Sequence, residues 1–325
     1  MDSETTPPPV IPRVILGISG CLLGQAVRFD GNHKYNGYIV ETLGQVLEFR
    51  SFCPEVAIGL GTPRPPIRLV SAPEGPRARG VDDPARDVTA PLTEYALQVA
   101  AQLEDVSGYL FKKGSPSCGM ERVRCYNEAG QPLAGGAAGI FARTLMAQCP
   151  ELPVEEEGRL MDPVLRENFI ERVFIYQRWQ ALCRRGLTAA GLVEFHTCHK
   201  FNLLAHDEPA YRALGRRVAA AGTGDIAALG RDYIRAVMSA LKRPATAGTH
   251  TNVLQHIYGF LKDRLDGEDR RELLECFEQY RLGLIPLIVP VTLLRHHLRR
   301  HPDGYIERQY YLNPHPRELM LHNLI

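Results

Sequence analysis

The hydrophobic periodicity of this chain changes near residue 160, and that change limits the folds that are open to it. In the first half, β-rich runs at 14–18, 46–52 and 109–111 alternate with segments of helical spacing, of which 92–106 is the clearest. Such alternation predicts a mostly parallel sheet with helices packed on it. In the second half, one helical pattern follows another without strand alternation, which predicts an all-α domain.

The predicted architecture is a Rossmann-like α/β domain at 13–155 followed by an all-α domain at 163–325, and 325 residues suffice for two such cores. The acidic stretch 155–158 is interpreted as the linker between them. Residues 1–12 are acidic and proline-rich and are expected to form a disordered tail. Residues 61–91 show no clear period and are expected to form a loop.

The helices are predicted from their spacing and from the residues that bound them. Asp162 and Pro163 suit the N-cap and the first position of the first helix in the second half. In the first half we also expect helices at 38–47 and 139–149. The helices predicted in the second half span 163–184, 188–205, 208–221, 225–242, 249–265, 268–282 and 290–300.

Hydropathy and cysteine content indicate in which cellular compartment the protein is expected. No apolar run approaches the roughly 20 residues that a membrane helix needs, and the N-terminus lacks the features of a signal peptide. We therefore expect a cytoplasmic protein without a membrane partner. Because cytosolic thiols stay reduced, the eight cysteines are expected to be metal ligands, nucleophiles or core residues rather than disulfides.

The charges balance over the whole chain but not over its halves. Residues 1–150 carry 14 basic and 15 acidic side chains, a net charge of −1. Residues 166–325 carry 23 basic and 17 acidic side chains, a net charge of +6. A basic second half favours an anionic partner, although an arginine-rich solvated surface explains the same counts.

Three cysteines follow three predicted strands. Cys21, Cys53 and Cys118 each occupy a turn next to glycine or proline, and the carboxyl ends of parallel strands lie along one edge of a sheet, where ligands bind. Three thiolates suit a [4Fe–4S] cluster with one iron free of protein ligands better than structural zinc, which usually takes four. The alternative is that they are three small buried residues near turns.

The surrounding motifs resemble those of a known family. The segments 19–24, 27–34, 53–55 and 112–119 are similar to the signature of the TudS (DUF523) desulfidases. This resemblance implies that Cys21, Cys53 and Cys118 hold a [4Fe–4S] cluster whose open iron binds the sulfur of a thiolated base.

The second half resembles the DUF1722 (YbgA-type) domain. The similarity rests on segments of the helical half, namely 195–201, 252–254, 280–281, 286–297 and 309–312. Cys198 departs from that pattern, where a basic residue is expected. The combination of the two halves resembles the RudS-type desulfidases, which remove sulfur from 4-thiouridine in tRNA.

The resemblance also implies catalytic roles. Glu55 is the candidate general base, or a proton shuttle. Ser115 is the hydroxyl expected to orient the base or relay a proton, and Ser117 is expected to bond to the backbone of its turn. Lys112 is expected to stabilise negative charge or bind phosphate. The structural alternatives are a helix N-terminal carboxylate for Glu55 and a solvated lysine for Lys112.

Candidate RNA contacts are the cationic residues in loops of the first half and on helices of the second, because phosphates supply most nucleic-acid affinity. Each alone is equally explained as a surface charge. Adjacent His296 and His297 are not expected to share a metal, because neighbouring helical residues point about 100° apart. The candidates are Arg28, His33, Lys34, Arg64 and Arg68, then His199, Lys200, Arg216, Arg217, Arg295, His296, Arg299 and Arg300.

Three functions remain open on this basis. The first is an iron–sulfur desulfidase that converts 4-thiouridine in tRNA to uridine, with tRNA as its partner and no obligatory protein partner. The second is the same chemistry on free thiouracil or a thiolated nucleotide, for which an added basic domain is not needed. The third is a non-catalytic iron–sulfur sensor that binds nucleic acid.

Overall fold

The computed structural model describes residues 14–222, 224–319 and 321. It confirms the predicted fold class, with a mostly parallel sheet and helices first and a helical region after it. The predicted tail at 1–12 lies outside the described residues.

The main sheet has Cys21, Cys53 and Cys118 after the carboxyl ends of three of its strands. Within the described ranges, it has the strand order β2-β1-β5-β7, and each neighbouring pair is parallel. The register of β1 against the edge strand β2 places Ser19, the last residue of β1, beside Phe52, the last residue of β2. The strands are β1 (Val14–Ser19), β2 (Leu47–Phe52), β5 (Val106–Phe111) and β7 (Val154–Glu156).

A second, smaller sheet corrects the predicted loop at 61–91. Its strands have the order β4-β3-β6, with β3 antiparallel to β4 and parallel to β6. The two strands within 61–91, β3 and β4, are four residues long and contain arginine, so periodicity did not reveal them. They are β3 (Ile67–Val70), β4 (Arg77–Gly80) and β6 (Cys125–Tyr126).

Both faces of the main sheet are covered by helices. On one face, Val99 and Phe141, from two different helices, pack with Tyr109 and Phe111 of β5 in one apolar cluster. The helices of the first half are α1 (Pro54–Ala57), α2 (Thr89–Ala100) and α3 (Ile140–Gln148). The predicted helix at 38–47 is instead a π-helical turn, Tyr38–Thr42, followed by a 3₁₀ turn, Leu43–Gln45.

The helical half matches its prediction closely, except that the helix expected at 188–205 is divided at His199. Asp162 caps α4 as expected, since its side chain accepts hydrogen bonds from the amides of Val164 and Leu165. The helices are α4 (Pro163–Arg184), α5 (Ala189–Cys198), α6 (Lys200–His206), α7 (Glu208–Ala219), α8 (Ile226–Leu241), α9 (Ala247–Leu261), α10 (Gly267–Arg281) and α11 (Ile288–Arg300).

Helix α4 joins the two halves through a shared core. Its residues Phe169 and Val173 are buried in the same apolar cluster as Leu16 and Leu110 of the sheet. The packing is close, because a Cβ added at Gly108 of β5 would lie 2.8 Å from Val173 Cγ2. Residues that the sequence assigned to the helical domain therefore complete the core beneath the sheet.

The acidic stretch interpreted as a linker is also part of the fold. Val154–Glu156 is the edge strand β7, paired with β5, and Glu155 and Glu156 are buried. The run of glutamates suggested solvent exposure. Instead, the Glu156 carboxylate accepts from the Met120 amide and the Glu155 carboxylate accepts from Arg159. None of the described helices is both long enough and apolar enough to span a membrane.

Candidate active site

The three cysteines come together at the carboxyl edge of the main sheet. Cys21 lies in the 3₁₀ turn Gly20–Leu23 directly after β1, Cys53 is the N-cap of α1 directly after β2, and Cys118 lies in the turn that follows β5. Because β1 is paired with both β2 and β5, the parallel topology brings these three chain segments side by side. The predicted convergence is what the structure shows.

The three thiols line one cavity of about 250 Å³. The remaining walls come from three loops, which supply cationic, acidic and hydroxyl side chains. Besides the cysteines, the polar side chains that line the cavity are Ser19, Arg28, Lys34, Glu55, Arg64, Lys112, Lys113 and Ser115. Concave sites with a few convergent polar groups are the usual place for ligands.

The donor set suits an iron–sulfur cluster. All three cysteines are free thiols, and among the described residues no fourth cysteine lines the cavity, so the thiols alone do not make a closed Cys₄ zinc site. Burial, and then the neighbouring Cys53 thiol, raise the pKa of Cys21 to about 11, although Lys112 lowers it. Burial likewise raises the pKa of Cys53 and Cys118. A cationic centre would stabilise all three as thiolates.

Glu55 is held by an arginine within the cavity wall. Arg64 contacts the carboxylate through Nε at 2.9 Å and Nη2 at 2.8 Å, and both contacts go to Oε2. Arg64 also donates to the carbonyls of Gly61 and Val27, at 2.8 Å and 2.9 Å. This network fixes the carboxylate beside Cys53 and leaves Oε1 outside the arginine contacts.

The turn-forming role predicted for Ser117 belongs to Ser115 instead, and Ser117 Oγ makes no hydrogen bond within the described part of the chain. Ser115 Oγ accepts hydrogen bonds from the amides of Ser117 and Cys118, at 3.2 Å and 3.1 Å, so Ser115 is the residue that forms the turn. Ser115 nevertheless lines the cavity, whereas Ser117 is fully buried behind it. The turn packs against Gly139, where a Cβ would lie 2.6 Å from the Ser117 carbonyl.

Lys112 is paired rather than solvated. Its ammonium contacts Glu157 and donates to the carbonyl of Lys113 at 2.8 Å. Glu157 also accepts from the Lys113 amide at 2.7 Å. The preceding glutamate, Glu156, accepts at 2.7 Å from the amide of Met120, which follows Cys118 in the chain, whereas Lys112 and Lys113 precede it.

Glu156 and Glu157 thus brace the Cys118 loop from both ends. Sequence reasoning missed both residues, because a run of glutamates before a proline-capped helix resembles a linker. Their position directly after an apolar stretch that ends at Val154 was the available signal.

Two family models match this chain, one in the α/β half and one in the helical half. The family model described as 2-thiouracil desulfurase matches residues 16–157, and the model described as a protein of unknown function, DUF1722, matches residues 200–316. The chain therefore carries a 2-thiouracil desulfurase domain and, behind it, a DUF1722 domain. Both resemblances predicted from the motifs are confirmed. The family acts on a carbon–sulfur bond, so the three-cysteine cavity is its candidate active site.

Each individual relative matches about half of this chain or less. The uncharacterized protein YbgA of Escherichia coli (strain K12) is 31% identical over 156 residues, which is 48% of this chain and 92% of YbgA. The uncharacterized protein YbbK of Bacillus subtilis (strain 168) is 27% identical over 134 residues, which is 39% of this chain and 87% of YbbK. A solved structure of the [4Fe–4S]-dependent thiouracil desulfidase TudS is 32% identical with a TM-score of 0.36, over 48% of this chain and 97% of that chain.

The predicted RNA contacts of the desulfurase half divide into two groups. Arg28 and Lys34 line the cavity mouth, with Arg28 3.4 Å from Asp30 and Lys34 exposed. His33 is exposed nearby. For Arg64 the prediction is wrong, because its side chain is only 4% exposed and pairs with Glu55.

Arg68 also lies away from the cavity mouth. It is in β3, and its guanidinium stacks over the Tyr126 ring at 5.2 Å.

In the DUF1722 half, one candidate is buried and the others lie nearer the surface. His199 is 1% exposed and stacks on Tyr310, so the structure contradicts its proposed RNA contact. Arg295 donates to Asn313 at 2.7 Å, and Lys200 lies over the Phe201 ring. The exposed candidates are Arg216 and Arg217 on α7, and His296, Arg299 and Arg300 on α11.

Proposed function

We propose that this chain is a [4Fe–4S]-dependent desulfidase that converts 4-thiouridine in tRNA to uridine. The observation that carries the proposal is the cavity in which Cys21, Cys53 and Cys118 meet beside a fixed carboxylate. The match of residues 16–157 to the 2-thiouracil desulfurase family supports the carbon–sulfur chemistry. The tRNA substrate goes beyond the family description and rests on the charge of the helical half.

The three thiolates would hold the cluster. When bound, the cluster would supply an iron without a protein ligand, which is a Lewis acid suited to sulfur. Lys112 and Arg28 both lower the pKa of Cys21, so their positive charges act on the place where thiolate charge accumulates. In this account Lys112 stabilises the anionic site and does not bind phosphate.

Glu55 would activate the attacking water. Because Arg64 binds Oε2, Oε1 is the atom that takes the proton as the water oxygen attacks the ring carbon. The new carbon–oxygen bond replaces the carbon–sulfur bond, and the sulfur leaves as sulfide. No electrons are gained or lost by the base, so the reaction needs water but no external reductant.

Ser115 is placed to contact the substrate. Its oxygen is already engaged by the amides of Ser117 and Cys118, which fixes its position on the cavity wall. The hydroxyl proton of Ser115 is therefore the group that remains for the thiolated base of the substrate. The hydroxyl would donate to a ring nitrogen or oxygen of that base. This donation would orient the thiocarbonyl for attack.

The basic helical half supports tRNA as the substrate. Its net charge is +6 over residues 166–325, and Arg216, Arg217, Arg299 and Arg300 are exposed on α7 and α11. Phosphate contacts of this kind add affinity without reading the base. A free thiobase would fill the cavity without needing them, and the family description names such a base, 2-thiouracil.

The test is a substrate comparison with anaerobically purified, cluster-loaded full-length chain. We expect loss of the 4-thiouridine absorbance of tRNA, with kcat/KM for tRNA exceeding that for free 2-thiouracil and free 4-thiouridine. Turnover of the free compounds with intact thiolated tRNA would contradict the tRNA proposal. Binding of tRNA without turnover of any of the three would instead favour the sensor.

Charge variants are a better probe of the helical half than truncation. Removing residues from 163 onward would strip α4 from the core beneath the sheet, and Phe169 and Val173 with it. We therefore propose the full-length double variant Arg216→Glu/Arg217→Glu. Its charge-matched control is the double variant Arg231→Glu/Arg235→Glu on α8, where both arginines are exposed.

A further inference from the structure

A second cluster of possible metal ligands lies far along the chain from the cysteines. Asp269 and Glu272 on α10 and His297 on α11 each offer a ligand atom, and these atoms lie within 4.8 Å of one another. The two carboxylates are three residues apart on one helix, so they share a face, and that face meets His297.

His297 shows that the cluster is more than a patch of surface acids. The side chain is 2% exposed, and within the described part of the chain neither of its ring nitrogens has a hydrogen-bond partner. Nδ1 is 3.8 Å from Asp269 Oδ2, beyond a hydrogen bond. A buried imidazole without partners is unusual, because buried polar groups are nearly always satisfied.

We propose that Asp269, Glu272 and His297 bind a divalent transition-metal ion, with zinc as the best fit. Imidazole with two carboxylates is a donor set that zinc takes in proteins, and water would occupy a further position. Metal–ligand bonds of about 2.0–2.2 Å require the donors to draw closer than they stand. Glu272 is exposed, so its side chain is able to make that movement.

The local charges are consistent with a cation at this place. The C-terminal end of α11, where His297 lies, carries the negative end of the helix dipole. Arg300 is the competing cation, with Nη1 4.0 Å from Asp269 Oδ2 and its side chain 60% exposed. Zinc would displace this weak, solvated contact.

His296 supplies a matched control. It is adjacent to His297 on α11, but it is exposed and the planes of the two rings are 82° apart. This agrees with the expectation that neighbouring helical histidines do not share a metal. Replacing His296 removes an imidazole from the same helical turn without touching the proposed ligands.

The experiment is equilibrium dialysis of the full-length, cluster-loaded chain against buffered zinc, followed by elemental analysis. We expect wild type and His296→Gln to bind one more zinc per chain than His297→Gln. Glu272→Gln, an exposed change that cannot disturb the core, should weaken binding by at least about tenfold. Arg300→Met should bind zinc as tightly as wild type or more tightly.

The result that would overturn the proposal is equal zinc binding by wild type, His297→Gln and Glu272→Gln. Cobalt serves as a second probe, because a thiolate site gives strong charge-transfer absorption and a histidine–carboxylate site does not. If the cobalt lost on Glu272→Gln carried the thiolate band, the metal would have a cysteine ligand and the proposed histidine–carboxylate site would fail. Neither result depends on desulfidase activity.

Discussion

The α/β half and the helical half use their cationic side chains differently. Around the cysteines, Arg64 pairs with Glu55 and Lys112 pairs with Glu157, and each pair is largely buried. On α7, Arg216 and Arg217 are exposed. Buried pairs fix the position of reacting groups, and removing one partner leaves an uncompensated charge. Exposed cations act on an anionic partner additively and weakly, so the two halves should respond to mutation on different scales.

The largest effect should come from the three cavity cysteines. Cys21→Ala, Cys53→Ala and Cys118→Ala should each lose bound iron and reduce desulfidation to background. Cys125→Ala is the matched control, because Cys125 is as buried as Cys21, does not line the cavity and belongs to another apolar cluster. Iron content and turnover of each purified variant are the measurements. Iron retained by all three cavity variants would show that these cysteines do not hold a cluster, and the contrast between the two halves would fail.

Glu55→Gln should follow, with iron retained and kcat lowered by about 10²- to 10⁴-fold, the usual range for a general base. Gln cannot accept the proton but keeps the shape that Arg64 contacts. Glu48→Gln, an exposed change on β2 outside the cavity wall, is the control. Single-turnover kinetics with saturating substrate separates this effect from binding. An unchanged kcat would remove the general-base role.

The shared core should make the two halves unfold together. Phe169→Ala on α4 deletes a fully buried ring between them and should cost about 3–5 kcal/mol. Val164→Ala, on the same helix but 51% exposed, should cost far less. Urea unfolding followed by cluster absorbance and by circular dichroism should shift together. A shift in one signal alone would mean that the halves are independent.

Acid should destabilise the helical half. Burial lowers the pKa of His196 to about 4 and of His199 to about 3, below the ordinary value of 6.5 for histidine. The unfolded chain therefore binds more protons below pH 6.5, and stability is lost as the pH falls toward these folded values. Between pH 7 and pH 5 the loss should be roughly 2 kcal/mol for each histidine. Urea unfolding at the two pH values measures it, and His199→Gln should reduce the difference.

The smallest effects should come from single exposed arginines. Arg216→Ala or Arg217→Ala should weaken tRNA binding modestly and reduce the salt slope of binding by about one unit each. Turnover of free thiobase should not change. Filter binding at several salt concentrations is the measurement. A slope equal to wild type in the double variant would leave α7 outside the RNA interface.

The position of the cysteines was predictable because topology alone determines it. Once β1, β2 and β5 are parallel neighbours, any residue directly after each strand lies at the same edge. The helix bounds were predictable for a similar reason, since a cap such as Asp162 acts over a few residues.

The partners of the site residues were not predictable, because they come from distant segments. Arg64 reaches Glu55 only after the chain passes Gly61 and Thr62, and Glu157 meets Lys112 across 45 positions. Ser115 and Ser117 are two residues apart and chemically alike, so the direction of the turn alone decides which one lines the cavity.

The most direct measurement is the iron and sulfide content of the full-length chain purified without oxygen. The account predicts about four iron and four sulfide per chain, lost in Cys21→Ala and retained in Cys125→Ala. A chain that holds zinc at the three cysteines, or that holds no metal after anaerobic reconstitution, would contradict it.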